Sequence, residues 1–240
     1  MEKTETSKRL MSVAYVVAIG GILFGMNTSL INGADGFLQK DLGINSLQIG
    51  IVSSSLTLAA ALGAIFGGTL SDKIGRKKSL RLIAWIFLIG AILCALSPGY
   101  YLLVGARFFL GLAVGSASSV VPLYLGEISS AEKRGKMVGL NQITIVGGQF
   151  LAFVFNAVIG NVMADNPAAW KFMMGVAAIP AIIMIIGLTK IFETPKWLAK
   201  DGQLSKAIVV IKTIYTDDEL YQEQMSDINK INAAREEQQE

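Results

Sequence analysis

The sequence predicts an all-α membrane protein, six transmembrane helices followed by short helices outside the bilayer. Three observations carry that expectation. Of 240 residues, 52% are hydrophobic and only 16% charged, where soluble domains carry about 25% charge; mean hydropathy is +0.53. Six apolar runs, at about 10–32, 49–70, 82–97, 101–122, 138–162 and 172–192, each approach the ~20 residues that cross a bilayer. The loops between them alternate in charge. Residues 33–48 hold Lys40 as their one base, and 98–100 and 163–169 hold none. Eighteen of the 21 basic residues lie on the other side, the exceptions being Lys40, Arg107 and Lys171. Loops rich in Lys and Arg stay in the cytoplasm, so both termini are expected there.

Each element has its own signal. Lys8 and Arg9 precede an apolar stretch from Leu10 to about Ile31. That is longer than the ~7–15 residues of a secretory signal core, so it reads as an uncleaved first span behind a cytoplasmic segment 1–9. The second and third runs are joined by Gly-Thr-Leu-Ser-Asp-Lys-Ile-Gly-Arg-Lys-Lys at 68–78, a loop short enough to make its helices antiparallel neighbours. A plain basic loop explains Lys73, Arg76, Lys77, Lys78 and Arg81. It does not explain Asp72 at the helix end or Gly75 at the turn. Gly21/Gly25, Gly63/Gly67 and Gly111/Gly115 have the four-residue spacing that lets helix backbones approach closely in lipid. Trp170 stands where an interfacial anchor would, and Pro180 is expected to kink the sixth span. The spans occupy 10–192. In the cytoplasmic stretch 193–240, Thr194-Pro195 opens a helix that Gly202 ends. Leu204, Ile208, Ile211 and Ile214 mark an amphipathic helix. Thr216-x-x-Glu219 is a capping box for a third helix.

Composition also excludes functions. There is no histidine and a single cysteine, Cys94, so no metal centre, cofactor site or disulfide is expected. No paired carboxylates lie in the spans, which argues against an enzyme. A net charge of +3 points to no nucleic-acid partner.

The polar residues inside the spans are the candidates for function. An arginine inside a span is costly unless it faces protein or water, which singles out Arg107; snorkelling to the interface is the alternative. Asn27, in the outer half of the first span, is its expected partner by depth. Asp35 and Asp41 are assigned to the outer loop, which leaves no acid deep in the spans before residue 126. Gln142, Gln149 and Asn156 recur every seven residues, two helical turns, and form a polar stripe suited to hydroxyl-rich ligands. Phe24 could add a stacking surface. Interhelical hydrogen bonding is the alternative for Asn27 and for the stripe. At the inner edge, Asp72, Arg76, Glu127, Arg134 and Glu193 could form a charge network that biases a gate.

The 68–78 loop resembles the signature loop of major facilitator superfamily transporters. Phe24-Gly-x-Asn27, Arg107-Phe-x-x-Gly-x-x-x-Gly, Pro122-x-Tyr-x-x-Glu-(x)6-Arg-Gly, Gln142-(x)6-Gln149 and Glu193-Thr-Pro-Lys-Trp-Leu198 resemble the sugar porter family within it. The resemblance runs from about residue 15 to 215 and corresponds to the N-terminal six-span half. It implies a 3+3 inverted repeat and alternating-access transport of a monosaccharide across the plasma membrane. It also implies a second six-span half as partner. The sugar would meet Phe24, Gln142, Gln149 and Asn156, with Asn27 and Arg107 as the mid-membrane polar pair. Proton symporters of the family typically carry Asp where this chain has Asn27, so uniport is expected. Transport of another solute, such as a polyol or drug, and a truncated non-transporting protein are the alternatives.

Overall fold

The computed structural model describes residues 2–130, 132, 134–215 and 218–237; the side chains of 2–8 and 218–219 lie outside the described set. The expected capping box at Thr216 and Glu219 therefore falls outside it, as do the side chains of Lys3, Lys8 and Lys133. The protein is all-α. Among the described residues, six helical segments are long and apolar enough to cross a membrane. They are formed by α1 (Glu2–Leu42), α2 (Ser46–Ile74), α3 (Arg76–Ala95), α4 (Tyr100–Ile128), α5 (Arg134–Val162) and a broken sixth span, α6 (Ala169–Gly175) with α7 (Ala178–Gly187). Three short helices follow, α8 (Pro195–Lys200), α9 (Leu204–Ile214) and α10 (Asp218–Glu237).

The glycine pairs decide which spans touch. A Cβ on Gly63 would strike the Leu112 carbonyl, one on Gly111 the Leu56 carbonyl, and one on Gly115 the Ala60 carbonyl, so α2 and α4 meet backbone to backbone. Ser116 Oγ donates to Gly63 O (3.1 Å) and Ser119 Oγ to Ala64 O (3.0 Å) across the same crossing. Gly25 meets the Ile145 carbonyl and Gly148 the Ile22 carbonyl, which seats α1 on α5 in the same way. The third span packs on α4, and the sixth on α1 and α3. Exchanging spans one to three for four to six maps the α1–α5 contact onto α4–α2, and the α3–α4 contact onto that of the sixth span with α1. That is the internal symmetry of a 3+3 repeat. It is legible in packing although the residues of the two triplets look unalike.

Three expectations are corrected. The first helix does not end near residue 32. Neither Asn32 nor Gly33 interrupts it, because Gly33 faces the Asn156 side chain, where a Cβ would clash. The helix stops at Gly43, whose φ of +63° is the left-handed conformation glycine tolerates. Asp35 and Asp41 are thus helical residues of α1, not loop residues. The second helix begins at Ser46, earlier than expected, under a reciprocal cap in which Gln48 N–H donates to Asn45 Oδ1 and Asn45 N–H to Gln48 Oε1, both at 2.9 Å. Trp170 is no lipid-facing anchor: it is fully buried and its Nε1 donates to Asp41 Oδ2 at 2.8 Å. The Pro180 kink is present. Lacking an N–H for the Val176 carbonyl, the chain breaks between α6 and α7, and that carbonyl accepts from Ile179 N–H at 3.0 Å.

Many large apolar side chains remain on the outer surface, among them Leu58, Ile65 and Phe66 of α2 and Ile143 and Phe150 of α5. Helices apolar all round are what a bilayer or a further bundle requires. At the end of the bundle that carries the N-terminus, α8, α9 and α10 form a cap. Buried Trp197, Leu198, Ala207, Ile211 and Ile228 make its core. Tyr215 OH donates to Ile128 O (3.0 Å), and a Lys196–Asp227 pair (2.6 Å) ties α8 to α10.

Candidate functional site

Two polar constellations interrupt the apolar bundle: a charged cluster where the α2–α3 turn meets the cap, and a buried site around Arg107.

The cluster is built on a one-residue turn. Gly75 alone separates α2 from α3 and has φ +100°, a conformation that L side chains avoid. A Cβ there would also strike the Glu193 carboxylate. The first turn of α3 has no side-chain cap of its own. Glu193 supplies one: its carboxylate accepts from the backbone N–H of Arg76 (2.9 Å), Lys77 (3.1 Å) and Thr194 (3.0 Å). An anion at a helix N-terminus is favoured by exposed N–H groups and the helix dipole. Arg76, 5% exposed, points the other way. Its Nε and Nη2 donate to Glu127 (2.8–3.1 Å), and its Nη1 to the Ser71 carbonyl (3.1 Å) and Asp72 (3.0 Å). Thr194 Oγ1 completes the Glu127 carboxylate. Trp197 Nε1 donates to the Asp72 carbonyl (2.8 Å), Tyr124 OH to the Phe192 carbonyl (2.7 Å) and Lys77 Nζ to the Ile191 carbonyl (2.6 Å). The second, third, fourth and sixth spans are thus joined at one point. Of the five expected residues, Asp72, Arg76, Glu127 and Glu193 come together. Arg134 does not; it is exposed and lines an open cleft with Lys196, Pro122 and Gly126 beside Glu127.

Burial pushes the Glu193 carboxyl above the usual glutamate value, although the three N–H donors and the Arg76 charge pull it down. Burial likewise raises the Tyr215 phenol, and the charge of Glu223 adds to it. For an acid with a raised folded-state pKa, the folded chain binds the proton more tightly than the unfolded chain. Its contribution to stability is full below the ordinary glutamate value and is lost as pH rises through the raised one. Glu193→Gln should therefore flatten the pH dependence of thermal stability across that interval, measured on detergent-solubilised chain. Parallel curves for both proteins would refute the assignment.

The second constellation lies deep. Arg107 is 1% exposed, which rules out snorkelling. Its Nη1 donates to the backbone carbonyl of Asn27 at 3.3 Å and lies 4.0 Å from Met174 Sδ. The expected pair therefore exists, but through the Asn27 main chain; the Asn27 amide donates to Leu23 O at 2.8 Å. Arg107 Nε meets no acceptor among the described residues, and neither does Asp35 Oδ1 meet a donor. The assignment of Asp35 to a loop fails with the corrected end of α1: Asp35 stands on that helix, and its carboxylate and Arg107 act on each other electrostatically.

The expected polar stripe divides. Gln142 is exposed and Gln149 half-buried, and Phe24, on the facing helix, is half-buried. Asn156 is 6% exposed and donates to the Leu30 carbonyl at 3.0 Å. A seven-residue repeat drifts by about 20° per heptad on a straight helix. By Asn156 the stripe has turned into the α1–α5 seam, where Gly33 makes room for it.

Sequence reasoning missed Ser71, Thr194, Trp197 and Met174. Three of these act through backbone groups or contribute their own, which residue type does not reveal. Asp35 could have been found: without Pro near residue 33, the first helix could run on to Gly43.

The profile of the family described as "Sugar (and other) transporter" matches residues 13–240. The chain is 44% identical over 207 residues to the major myo-inositol transporter IolT of Bacillus subtilis, covering 85% of this chain and 44% of that one. It is 38% identical over 217 residues to the glucose transporter GlcP of Staphylococcus epidermidis, covering 90% and 48%. The proton:xylose symporter XylE, solved with 6-bromo-6-deoxy-D-glucose, superposes with a TM-score of 0.87 at 25% identity, covering 96% of this chain and 55% of that one. The chain spans about half the length of the curated relatives it matches, and those relatives are transporters, not enzymes.

Proposed function

The chain belongs to the sugar transporter family of the major facilitator superfamily, and on that premise we propose that it is the N-terminal six-span half of a monosaccharide carrier working by alternating access. The observation that carries this reading is the polar face of α5. Gln142 is exposed and Gln149 half-buried on the same face of a largely apolar span, and Phe24 is half-buried on the helix α1 that packs against it. An exposed amide on a membrane span requires a partner. Amides that both donate and accept suit the hydroxyls of a sugar bound between this bundle and a second six-span half. Asn156 would hold α1 and α5 in register behind that face. Arg107 with Asn27 would form the mid-membrane polar pair. Asp72, Arg76, Glu127 and Glu193 would lock the cytoplasmic side, with Arg134 and Lys196 at its open edge. In this reading both termini are cytoplasmic, residues 10–192 form the membrane domain in the plasma membrane, and 193–240 form the cytoplasmic cap. The apolar outer faces of the spans meet lipid and the second half.

A cyclic polyol is the second reading, favoured by the similarity to a myo-inositol transporter; the amide face suits its hydroxyls equally. Uptake of labelled hexoses, pentoses and myo-inositol should separate the two. The host would be cells lacking their own carriers and expressing the whole gene that encodes this chain. Uptake of none would sink both. Gln142→Ala and Gln149→Ala should each weaken binding of the transported solute by about 1–3 kcal/mol, the cost of leaving a polar partner unsatisfied. Unchanged affinity in both would remove the α5 face from the site.

A further inference from the structure

Arg107 is a charge with too few partners. A guanidinium carries five N–H donors, and a buried cation is costly unless it is paired and hydrogen-bonded. Here the described contacts are one carbonyl at 3.3 Å and a thioether at 4.0 Å, with Nε left bare. Two turns outward from Asn27 on α1, Asp35 has the complementary deficit, a buried carboxylate oxygen without a donor. Each is among the groups whose field acts on the other, yet they make no ion-pair contact. Among the described residues, Arg107 is the charge whose field acts on Asp35. From α3 the neighbouring titratable group is the buried Cys94 thiol. From α5 there is no titratable side chain beyond Lys136. From α6 there is Lys171, which lies over the Trp170 ring. On α1 itself Asp41 is engaged by Trp170 and Lys40 is exposed.

We propose that Asp35 is a proton-binding site of this protein, an acid reached from the outer side whose charge state sets how Arg107 ties α4 to α1. In the step, hydronium gives its proton to the Asp35 carboxylate; one O–H bond forms, one breaks, and water leaves. The neutral acid no longer attracts Arg107, which is then held by the Asn27 carbonyl and Met174 alone. With Asp35 ionised the guanidinium is drawn along α1 between an inner carbonyl and an outer carboxylate. The two protonation states therefore bind α1 to α4 differently. Asn27 cannot do this, because its amide neither gains nor loses a proton near neutral pH. The consequence for transport, a dependence of sugar uptake on external pH, rests on the carrier reading above; the proton site itself does not.

The test has two parts. In the first, carboxyl titration of the 240-residue chain in nanodiscs is followed by infrared spectroscopy. Asp35→Asn should lose one titrating carboxyl and Arg107→Gln should displace it, whereas Asp165→Asn should leave it in place. If Asp35→Asn fails to fold, Asp35→Glu must retain a titrating group at a displaced pH. A wild-type titration reproduced unchanged by Asp35→Asn, or undisturbed by Arg107→Gln, overturns the proposal. In the second, the whole gene product is assayed for uptake in proteoliposomes against external pH. Loss of the pH dependence in Asp35→Asn supports the link to transport, and an unchanged profile overturns it. Titration present with no uptake by any variant leaves the proton site standing and removes the carrier reading.

Discussion

Arg76→Ala is expected to cost about 3–5 kcal/mol, the range for removing one partner of a buried charge pair. The guanidinium is almost wholly buried and serves three acceptors at once: Glu127, the Ser71 carbonyl and Asp72. Its loss leaves the Glu127 carboxylate with Thr194 as its described partner and frees the ends of α2 and α4 from each other. The measurement is thermal unfolding of the detergent-solubilised chain, with Lys200→Ala as comparison. Lys200 meets Asp72 at 3.5 Å from an exposed position, and such surface pairs contribute about 0–1 kcal/mol. Equal losses for both would show that burial of the Arg76 pair adds nothing. In the carrier proposed above, Glu127→Gln should raise cytoplasmic accessibility of cysteines placed beside the cluster. A lowered accessibility would contradict its assignment as a lock.

Gly115→Leu should be the most damaging single change in the bundle. Its Cβ would fall against the Ala60 carbonyl, with the Ala60 carbonyl carbon at 2.6 Å and Cα at 2.7 Å. These are backbone atoms of α2 and cannot rotate away. Overpacking of ordinary core sites costs about 1–3 kcal/mol; here two helices must separate along their length, so loss of the folded chain is expected. Gly105→Leu on the same helix, with nothing within 4 Å of its Cβ, is the control. Size-exclusion profiles and melting temperatures should separate them. Comparable behaviour would mean that α2 and α4 tolerate a wider spacing than the crossing shows.

How much of this was legible in the residues follows from what each kind of signal reports. The six spans came from apolar length, a property of composition that tertiary structure does not override in lipid. The α2–α3 turn was legible because Asp72, Gly75 and Arg76 are each unusual between apolar runs, and they form the charged cluster as expected. Errors arose where a residue type was read without its neighbour. The first apolar run ends near residue 32, but the helix continues past Gly33, where Asn156 fits, and ending the span with the run put Asp35 in a loop. Trp170 looks like an interfacial anchor but finds Asp41, which the corrected α1 brings over it. Asn156 follows Gln142 and Gln149 in sequence but not around the helix. Arg134 shares the inner edge with Glu127, yet the nearer Arg76 already occupies that carboxylate.

The cap that Glu193 places on α3 has a consequence in time. Arg76 and its acceptor are 117 positions apart, and a chain grows by about 5–20 residues per second. The start of the third span leaves the ribosome about 6–23 seconds before the carboxylate that caps it. Through that interval its first N–H groups and the Arg76 charge must be satisfied by water or lipid headgroups at the membrane surface. The charged cluster closes only when the polypeptide after the sixth span arrives. The charged cluster is thus a late stitch of this bundle, and a chain interrupted before residue 193 would hold its spans without that fastening.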